Sequence, residues 1–282
     1  MKILLTNDDG IDAEGLVVMA QTVARWIADA PEGEVREAVI AAPHQNFSGA
    51  AAAVGNVFED GAVSYERRVI PGAEGIPAYC IVAPPSLCAT IGCLGAFGGI
   101  PDAVLSGINP GSNVGHSVLH SGTIGAVLTA AQLGIPGVAV SAQWGEFIHY
   151  QSAGTLALEV LEEVLQARGV VTISLNVPNL PLSAIKGVRR GRISDAVLVE
   201  AVAPVEGGGD LPDRGIFNLV YGEASPQLGD ASGEEPDDDL VLVESGYACV
   251  TALQGPRENT DLGLDGLLRA SLTRIDHHLR AD

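Results

Sequence analysis

Apolar and polar residues are arranged along the first part of the chain in blocks that predict strands and helices in turn. Residues 2–6 form a short, mainly apolar run, residues 14–29 place apolar side chains at helical spacing, and residues 36–42 form a second apolar run. Short apolar runs are typical of strands that are buried on both faces, and a 3.6-residue period is typical of amphipathic helices. These segments therefore predict a βαβ unit with parallel strands and a right-handed crossover.

The same alternation continues to about residue 183. Helices are predicted at 84–97, 121–134 and 152–168, and strands are predicted at 102–109, 137–142 and 170–178. Strands that alternate with helices predict an α/β core with a mostly parallel sheet.

The pattern changes after about residue 184. Short β-type runs at 187–193, 215–221 and 240–252 alternate with Gly, Pro and acidic segments, residues 229–239 hold six acids in a loop, and residues 261–281 are helix-like. We interpret residues 1–282 as one domain, in which 1–183 form the α/β core and 184–282 form a β-rich extension with a C-terminal helix. This extension is a candidate oligomerisation arm.

The charge of the chain narrows the choice of partners. Its 35 acidic and 15 basic residues give a formal charge of −20, which repels nucleic-acid backbones and anionic membranes. We expect neither as a partner. A net charge of this sign and size also has a simpler explanation, namely that it keeps the protein soluble. Residues 1–6 lack the long apolar run of a signal peptide, no apolar run reaches about 18 residues, and the four cysteines have no metal-ligand spacing. We therefore expect a cytoplasmic protein.

Polar side chains follow three of the predicted strands. Asp8 and Asp9 come directly after the first strand, Ser48 follows the second, and Asn109 ends the strand at 102–109. In open parallel sheets, ligands bind beyond the carboxyl ends of the strands. Two carboxylates, a hydroxyl and a carboxamide suit a hard cation such as Mg²⁺ or Mn²⁺. A shared dication would relieve the repulsion between the adjacent carboxylates, whereas the segment NDDG taken alone also fits an ordinary turn.

A second polar segment, GINPGSNVGHSVLHSGTIGA at 107–126, leads into an apolar helix. The backbone amides at the start of that helix, together with the hydroxyls of Ser121 and Thr123, could hold a phosphate against the positive end of the helix dipole. The segment lacks the lysine of a P-loop. The alternative is an ordinary capped helix start.

These residues resemble the SurE family of metal-dependent 5′/3′-nucleotidases. The resemblance is carried by MKILLTNDDGIDAEGL, APHQNFSGA, PDAVLSGINPGSNVG, SGTIGA and LNVPNLP in this order, and by the later DLVLVESGYACVTAL. It implies a Rossmann-like three-layer core, hydrolysis of nucleoside monophosphates to nucleoside and phosphate, and a homodimer or homotetramer formed through the C-terminal arm.

The resemblance also implies a set of site residues. One divalent cation per subunit, Mg²⁺ or Mn²⁺, would be held by Asp8, Asp9, Ser48 and Asn109, and Asp8 and Asp9 are the expected catalytic residues. Binding of the substrate and its phosphate is expected from Asn7, Asn46, Gly49, Ser106, Gly107, Asn113, His116, Ser121, Gly122 and Thr123.

Several positions around these motifs depart from the family pattern. The loop before Ser48 carries His44, Gln45 and Phe47 in place of its usual basic residue. Other departures are Ile76 and Tyr79 in GIPAYCI, His116 and Ser117 after the SNVG segment, and His120 in place of a tyrosine. A histidine here could contact phosphate or donate a proton to a leaving alkoxide, or it could simply be solvated. All four expected metal ligands are retained, so hydrolysis is still expected, with an altered substrate rim.

Three other classes of protein share some of these features. A phosphatase with an aspartyl-phosphate intermediate requires DxD after the first strand, and here position 10 is Gly. A Rossmann dehydrogenase requires GxGxxG at the same place, which NDDGIDAEG does not supply. A nucleotide- or metal-binding protein of the SurE type that has lost turnover is the alternative that the altered rim leaves open.

Overall fold

The computed structural model describes residues 1–55, 61–196, 199–204, 217–221 and 237–256. In chain order its strands are β1 (Lys2–Thr6), β2 (Glu37–Pro43), β3 (Tyr65–Arg68), β4 (Ala78–Ile81), β5 (Ala103–Pro110), β6 (Gly137–Ala142), β7 (Thr172–Val177), β8 (Val188–Arg190), β9 (Val199–Pro204), β10 (Phe217–Tyr221) and β11 (Ala248–Leu253). Its α-helices are α1 (Glu14–Ala28), α2 (Pro85–Cys93), α3 (Gly122–Gln132), α4 (Tyr150–Gln166) and α5 (Asp239–Glu244), and two 3₁₀ turns lie at Gly115–His120 and Leu182–Ala184.

Nine of these strands form one sheet in the order β3-β4-β2-β1-β5-β6-β7-β11-β8. The six central strands from β4 to β7 are mutually parallel, whereas β3 and β11 run antiparallel to β4 and β7 respectively. Strands β9 and β10 form a separate antiparallel pair. The mostly parallel α/β sheet expected from the sequence is confirmed, and β8 and β11 from the predicted extension join it.

The central strands are buried on both faces because a layer of helices covers each face. In β1, Ile3 and Leu5 pack into one apolar cluster with residues of α1 and α4, while Leu4 points into the opposite cluster with residues of α2 and α3. A period of two sends successive side chains to opposite faces. The middle of β1, from Ile3 to Leu5, therefore has to be apolar, and the chain forms a three-layer α/β/α core.

This topology brings several polar segments to one edge of the sheet. Strands β1, β2, β5 and β6 are parallel neighbours, so their carboxyl ends lie at the same edge. The segment after β1 holds Asp8 and Asp9, that after β2 holds Ser48, and Asn109 lies near the end of β5. The expected convergence of these segments on one edge is therefore present in the backbone.

Most of the predicted core elements lie within a few residues of their expected places. Helix α4 begins at Tyr150 rather than 152, and α2 ends at Cys93 rather than 97. Strands β3 and β4 were not predicted. The sequence of β3 is YERR and all four residues are exposed, so its pattern contains no apolar alternation that could identify it as a strand.

The prediction of a β-type run at 240–252 is wrong in its first half. Residues Asp239–Glu244 form α5, and β11 begins only at Ala248. Leu240 to Val243 are all buried, so a short run of apolar residues was mistaken for a buried strand. Gly246, with a φ of 89°, follows the helix and turns the chain into β11.

Two other expectations lie wholly or largely outside the described residues, namely the helix at 261–281 and the acidic loop at 229–239, of which only the last three residues are described. Within the described ranges, no helix combines the length and the apolar character needed to cross a bilayer.

Candidate active site

The turn after β1 begins with a buried asparagine. The side chain of Asn7 donates a hydrogen bond of 2.8 Å from Nδ2 to the carbonyl of Gly10, which closes the NDDG turn. Its other polar atom, Oδ1, is buried without a hydrogen-bond partner. The backbone bends at Asp8 and Asp9, and Oδ1 of Asn7 is a polar atom available to a ligand.

Asp8 is fixed against the start of α3. Thr123 donates a hydrogen bond of 2.6 Å from Oγ1 to Oδ1 of Asp8, and both side chains are buried. Gly122 permits this contact, because a Cβ atom at its position would lie 2.7 Å from the Cβ of Asp8 and 2.9 Å from Oδ2. The close approach therefore requires glycine at position 122.

Asp9 is held by the loop that follows β2. Asn46 donates from Nδ2 to Oδ1 of Asp9 over 3.2 Å. The second oxygen, Oδ2, is buried and has no hydrogen-bond partner. A carboxylate oxygen in this state costs free energy unless a ligand satisfies it.

Both carboxyl groups have raised pKa values. Burial raises the pKa of Asp8, and the hydrogen bond from Thr123 opposes that rise. Burial, followed by repulsion from Asp8, raises the pKa of Asp9 to about 7, against the opposing hydrogen bond from Asn46. The site therefore disfavours two bare negative charges and would gain from a positive charge.

The loop after β2 connects Ser48 to the same group. The backbone N–H of Phe47 donates to the carbonyl of Asp8 over 2.7 Å, and the N–H of Ser48 donates to Oδ1 of Asn46 over 2.7 Å. Ser48 and Gly49 are exposed. The loop thus places Ser48 two residues from the asparagine that holds Asp9.

The start of α3 supplies hydrogen-bond donors beside Asp8. Ser121 is the N-cap residue, and its Oγ accepts a hydrogen bond of 3.1 Å from the N–H of Ile124. The backbone N–H groups of Gly122 and Thr123 interact with the carboxylate of Asp8. The capped-helix interpretation is correct, and the positive end of the helix dipole lies at the carboxylate of Asp8.

The end of β5 forms the neighbouring wall. Ser106 is fully buried, and its Oγ has no hydrogen-bond partner. A Cβ at Gly107 would collide with the carbonyl of Val140. Asn109 donates from Nδ2 to the carbonyl of Gly111 over 2.7 Å, so its Oδ1 is the atom that could serve as a ligand.

A buried polar network supports the loop after β5. Asn113 donates from Nδ2 to Ser141 over 2.8 Å, and its backbone N–H donates to Oδ1 of Asn176 over 2.7 Å. Asn176 returns a bond of 3.1 Å to the carbonyl of Asn113. Sequence reasoning missed Ser141 and Asn176 as supporting residues. An asparagine within the apolar strand LNV was the signal that could have identified Asn176.

The C-terminal part of the chain contributes another support that sequence reasoning missed. Asp239 is buried, and its carboxylate accepts hydrogen bonds from the backbone N–H groups of Gly115, Ser194 and Leu240, the shortest for each being 3.0, 3.1 and 2.8 Å. Gly115 begins the 3₁₀ turn that precedes α3. Asp239 therefore fixes the loop between β5 and α3.

The residues that depart from the family pattern fall into two groups. Tyr79 stacks on Phe97 with ring centroids 4.2 Å apart, and Ile76 is buried in the core, so both serve packing. His116 and His120 are exposed and line an apolar groove of about 1200 Å³ along α3, whose lining includes neither Asp8 nor Asp9. His44 lies in the exposed loop before Ser48, with its ring against that of Phe47.

The residues at this edge fit a hard divalent cation. Among the residues that the structure describes, no three His, Cys, Asp or Glu side chains form a group that could hold a metal ion. A cation here would therefore take its remaining ligands from hydroxyl, amide or water oxygens, as Mg²⁺ commonly does. Such an ion would give Oδ2 of Asp9 the partner that it lacks. It would also stabilise the ionised forms of both carboxyl groups, whose pKa values are raised by burial.

The fold and this edge define a class, namely three-layer α/β proteins with an acidic site beyond the parallel strands, facing a helix N-terminus. The family model described as Survival protein SurE matches residues 3–199. The chain therefore belongs to the SurE family, and the resemblance seen in its motifs is confirmed.

Named relatives are similar over most of their length. The protein called 5′/3′-nucleotidase SurE of Erwinia tasmaniensis is 32% identical over 256 residues, which cover 90% of each chain. The 5′-nucleotidase SurE of Desulfatibacillum aliphaticivorans is 33% identical, over 90% of this chain and 92% of that protein. The crystal structure of SurE from Aquifex aeolicus matches with a TM-score of 0.70 and 25% identity, covering 94% of this chain and 98% of that one.

Proposed function

We infer that this chain is a 5′/3′-nucleotidase, a phosphoric monoester hydrolase that converts nucleoside monophosphates to nucleoside and inorganic phosphate. The observation that carries this conclusion is the hydrogen bond that joins Asp8, the first of two adjacent aspartates beyond β1, to Thr123 at the N-terminus of α3 in a chain of the SurE family. The relatives similar over nine tenths of its length are named as nucleotidases. A binding protein without turnover, the alternative drawn from the altered rim, is not favoured.

We propose that one divalent cation, Mg²⁺ or Mn²⁺, is held by Asp8, Asp9, Ser48 and Asn109. When bound, such a cation neutralises phosphate oxygens and lowers the pKa of water. Support for Asp8 and Asp9 comes from their burial and from the unpartnered Oδ2 of Asp9. Support for Ser48 and Asn109 comes from their place at the same sheet edge.

We propose that the start of α3 binds the phosphate. The N–H groups of Gly122 and Thr123 lie beside Asp8, and the N-terminus of a helix is favourable for an anion. The same groups would stabilise the charge that develops on the phosphoryl oxygens during transfer. The other residues that we propose to surround the substrate are Asn7, Asn46, Gly49, Ser106, Gly107, Asn113, His116 and Ser121.

The two carboxylates have different tasks in this proposal. Thr123 occupies Oδ1 of Asp8, so Oδ2 of Asp8 is the oxygen left to hold the cation. Asp9 would hold the cation through Oδ2, which has no hydrogen-bond partner, while its Oδ1, which accepts from Asn46, would orient the attacking water. Water then adds to phosphorus as the bond from phosphorus to the ribose oxygen breaks, and the proton that the attacking water loses ends on the leaving ribose oxygen.

The test is a panel of nucleoside 5′- and 3′-monophosphates, assayed with each of Mg²⁺, Mn²⁺ and Co²⁺. We expect metal-dependent release of phosphate, and a loss of about two orders of magnitude or more in kcat for Asp8→Asn and for Asp9→Asn, as for other groups that stabilise a transition state. Circular dichroism should show that both variants are folded. Unchanged turnover in both variants would contradict the catalytic roles of Asp8 and Asp9. No turnover in the unmodified protein would contradict the proposed nucleotidase function.

We also propose a homodimer or homotetramer formed through the C-terminal arm, and a cytoplasmic location. Support for the arm is that β9 and β10 pair with each other outside the main sheet. Support for the location is that all four cysteines are buried free thiols, which is usual in reducing compartments. Light scattering of the full chain and of a variant without residues 199–221 would test the arm.

A further inference from the structure

The loop between β6 and α4 carries two exposed aromatic side chains. Trp144 and Phe147 are each 71% exposed to solvent, in a chain whose aromatic content is only 4%. Neither side chain belongs to the two main apolar clusters of the core. Their exposure is therefore not explained by the packing of the fold, and large exposed aromatic side chains are common where a protein binds a ligand.

This loop is held in place by Asn179. The side chain of Asn179 donates to the carbonyl of Phe147 over 2.7 Å and accepts from the N–H of His149 over 2.9 Å. Its backbone N–H donates to Oε1 of Gln143 over 3.2 Å. Three bonds to one residue fix both sides of the loop, so the aromatic pair is presented on an ordered segment, at a low entropy cost for binding.

Both ends of the loop adjoin the candidate active site. At its start, Ser141 is the strand partner of Asn109, and Ala142 accepts a bond of 2.7 Å from the N–H of Gly111. At its end, Tyr150 begins α4 within electrostatic range of Asp9. Strand β6 lies two strands from β1, which is about 10 Å across the sheet. A nucleoside monophosphate whose phosphate lies at α3 could span this separation.

We propose that Trp144 and Phe147 form a stacking surface for the base of the nucleotide, a proposal that rests on the proposed nucleotidase function. Stacking on aromatic rings accepts every base, because each base has a π-face. The ring of His149 lies edge-on to that of Phe147, with centroids 5.2 Å apart and an interplanar angle of 86°, which helps to orient it. The larger rings of purines should stack better, so the surface favours purine over pyrimidine nucleotides.

The experiment compares two substrates in three variants. Hydrolysis of AMP, which has a base, and of ribose 5-phosphate, which has none, is measured for Trp144→Ala, Phe147→Ala and Trp144→Phe. We expect each alanine variant to lose about tenfold in kcat/KM for AMP, mainly through KM, since a stacked base contributes a factor of this size. Rates with ribose 5-phosphate should not change, and Trp144→Phe should retain most of the activity with AMP.

Ile100→Ala is the matched control. Ile100 is 68% exposed and precedes β5, so it lies at the opposite edge of the sheet. Its truncation removes a comparable exposed apolar side chain and should leave both substrates unaffected. Equal losses with AMP and ribose 5-phosphate, or no loss with either, would overturn the proposal. A change in oligomeric state of the alanine variants by light scattering, without selective loss of AMP hydrolysis, would overturn it in favour of a contact between copies of the chain.

Fluorescence separates this proposal from the nucleotidase function itself. The chain has two tryptophans, of which Trp26 is buried and Trp144 is exposed. AMP should quench the emission of the unmodified protein and leave that of Trp144→Phe, which comes from Trp26, unchanged. Quenching by AMP without hydrolysis of any phosphate ester would support base stacking at Trp144 and contradict the nucleotidase function. Hydrolysis of AMP without quenching would reject the stacking surface alone.

Discussion

Thr123 donates a hydrogen bond of 2.6 Å to Asp8 across 115 residues of sequence. The bond joins the end of β1 to the first turn of α3, and both side chains are buried. It places a carboxylate directly at the positive end of a helix. The relative position of the expected metal ligand and the expected phosphate-binding turn is therefore fixed by a side-chain contact as well as by the sheet.

Replacing Thr123 with valine should lower activity while keeping the shape of the side chain. Asp8 loses its only side-chain hydrogen bond among the described residues, and hydrogen bonds to charged groups contribute about 1.5–3 kcal/mol. Loss of a residue that orients a metal ligand typically lowers metal affinity or activity by about 10–100-fold. Titration with Mn²⁺ and steady-state kinetics would measure both quantities. Thr123→Ser keeps the donor and should retain most of the activity, so equal losses in the two variants would contradict this role.

The metal-free protein should lose stability as the pH rises toward neutrality. The pKa of Asp9 is about 7 in the folded chain and near 3.8 when unperturbed. Between these values the folded protein holds a proton that the unfolded chain has released, so the free energy of unfolding falls as the pH increases. Asp9→Asn removes this penalty. The variant should therefore become more stable relative to the unmodified protein, on the order of a few kcal/mol at most, as the pH rises from 4 to 7.

Thermal unfolding in a chelating buffer at several pH values would measure this difference, and comparison with the variant cancels the effect of the other acidic residues. Addition of Mg²⁺ or Mn²⁺ at pH 7 should raise the melting temperature of the unmodified protein and not that of Asp9→Asn. A stability difference that does not vary with pH would show that Asp9 titrates normally.

The strand ends that carry Asp8 and Asn109 could be predicted because they follow wholly buried strands. A short apolar run such as Ile3 to Leu5, followed by a segment with helical spacing, predicts a strand with helices on both faces, and the carboxyl ends of parallel neighbours lie at one edge. The metal and phosphate residues were proposed from that placement and from the resemblance. Their coordination of an ion stays a prediction.

The residues that hold the site's loops in place could not be predicted from the sequence, since their roles depend on contacts between distant segments. Asp239 lies at the start of α5, in a stretch whose apolar run was interpreted as a strand, and nothing in the local pattern indicates that its partners are Gly115 and Ser194. The strand β3 was missed because an exposed edge strand needs no apolar face. Local patterns identify buried surfaces, whereas a buried carboxylate is satisfied by whichever backbone groups the tertiary fold brings to it.

Gly122→Ala should reduce activity despite the higher helix propensity of alanine. The new methyl group would lie 2.7 Å from the Cβ of Asp8, so either the carboxylate or the start of α3 has to move. Alanine is favoured over glycine by about 1 kcal/mol in a helix interior, but Gly122 is the first residue of α3, so this preference does little to offset the clash and nothing for the geometry of the site. We expect kcat to fall by about tenfold or more, since small displacements of reacting groups are costly. Gly75→Ala, which meets no atom within 4 Å, is the control and should behave like the unmodified protein.

Asp239→Asn should loosen the loop that precedes α3. The carboxylate accepts bonds from the N–H groups of Gly115, Ser194 and Leu240, whereas asparagine turns one acceptor into a donor that faces another donor. The loss should be roughly 3 kcal/mol in the free energy of unfolding, together with a raised KM because the turn at Gly115 is no longer held. Asp238→Asn is the matched control, since Asp238 contacts exposed Arg192 over 2.9 Å and a surface pair contributes about 0–1 kcal/mol. Denaturant unfolding and steady-state kinetics of both variants would measure the difference, and equal effects at the two positions would show that the buried carboxylate does not position the loop.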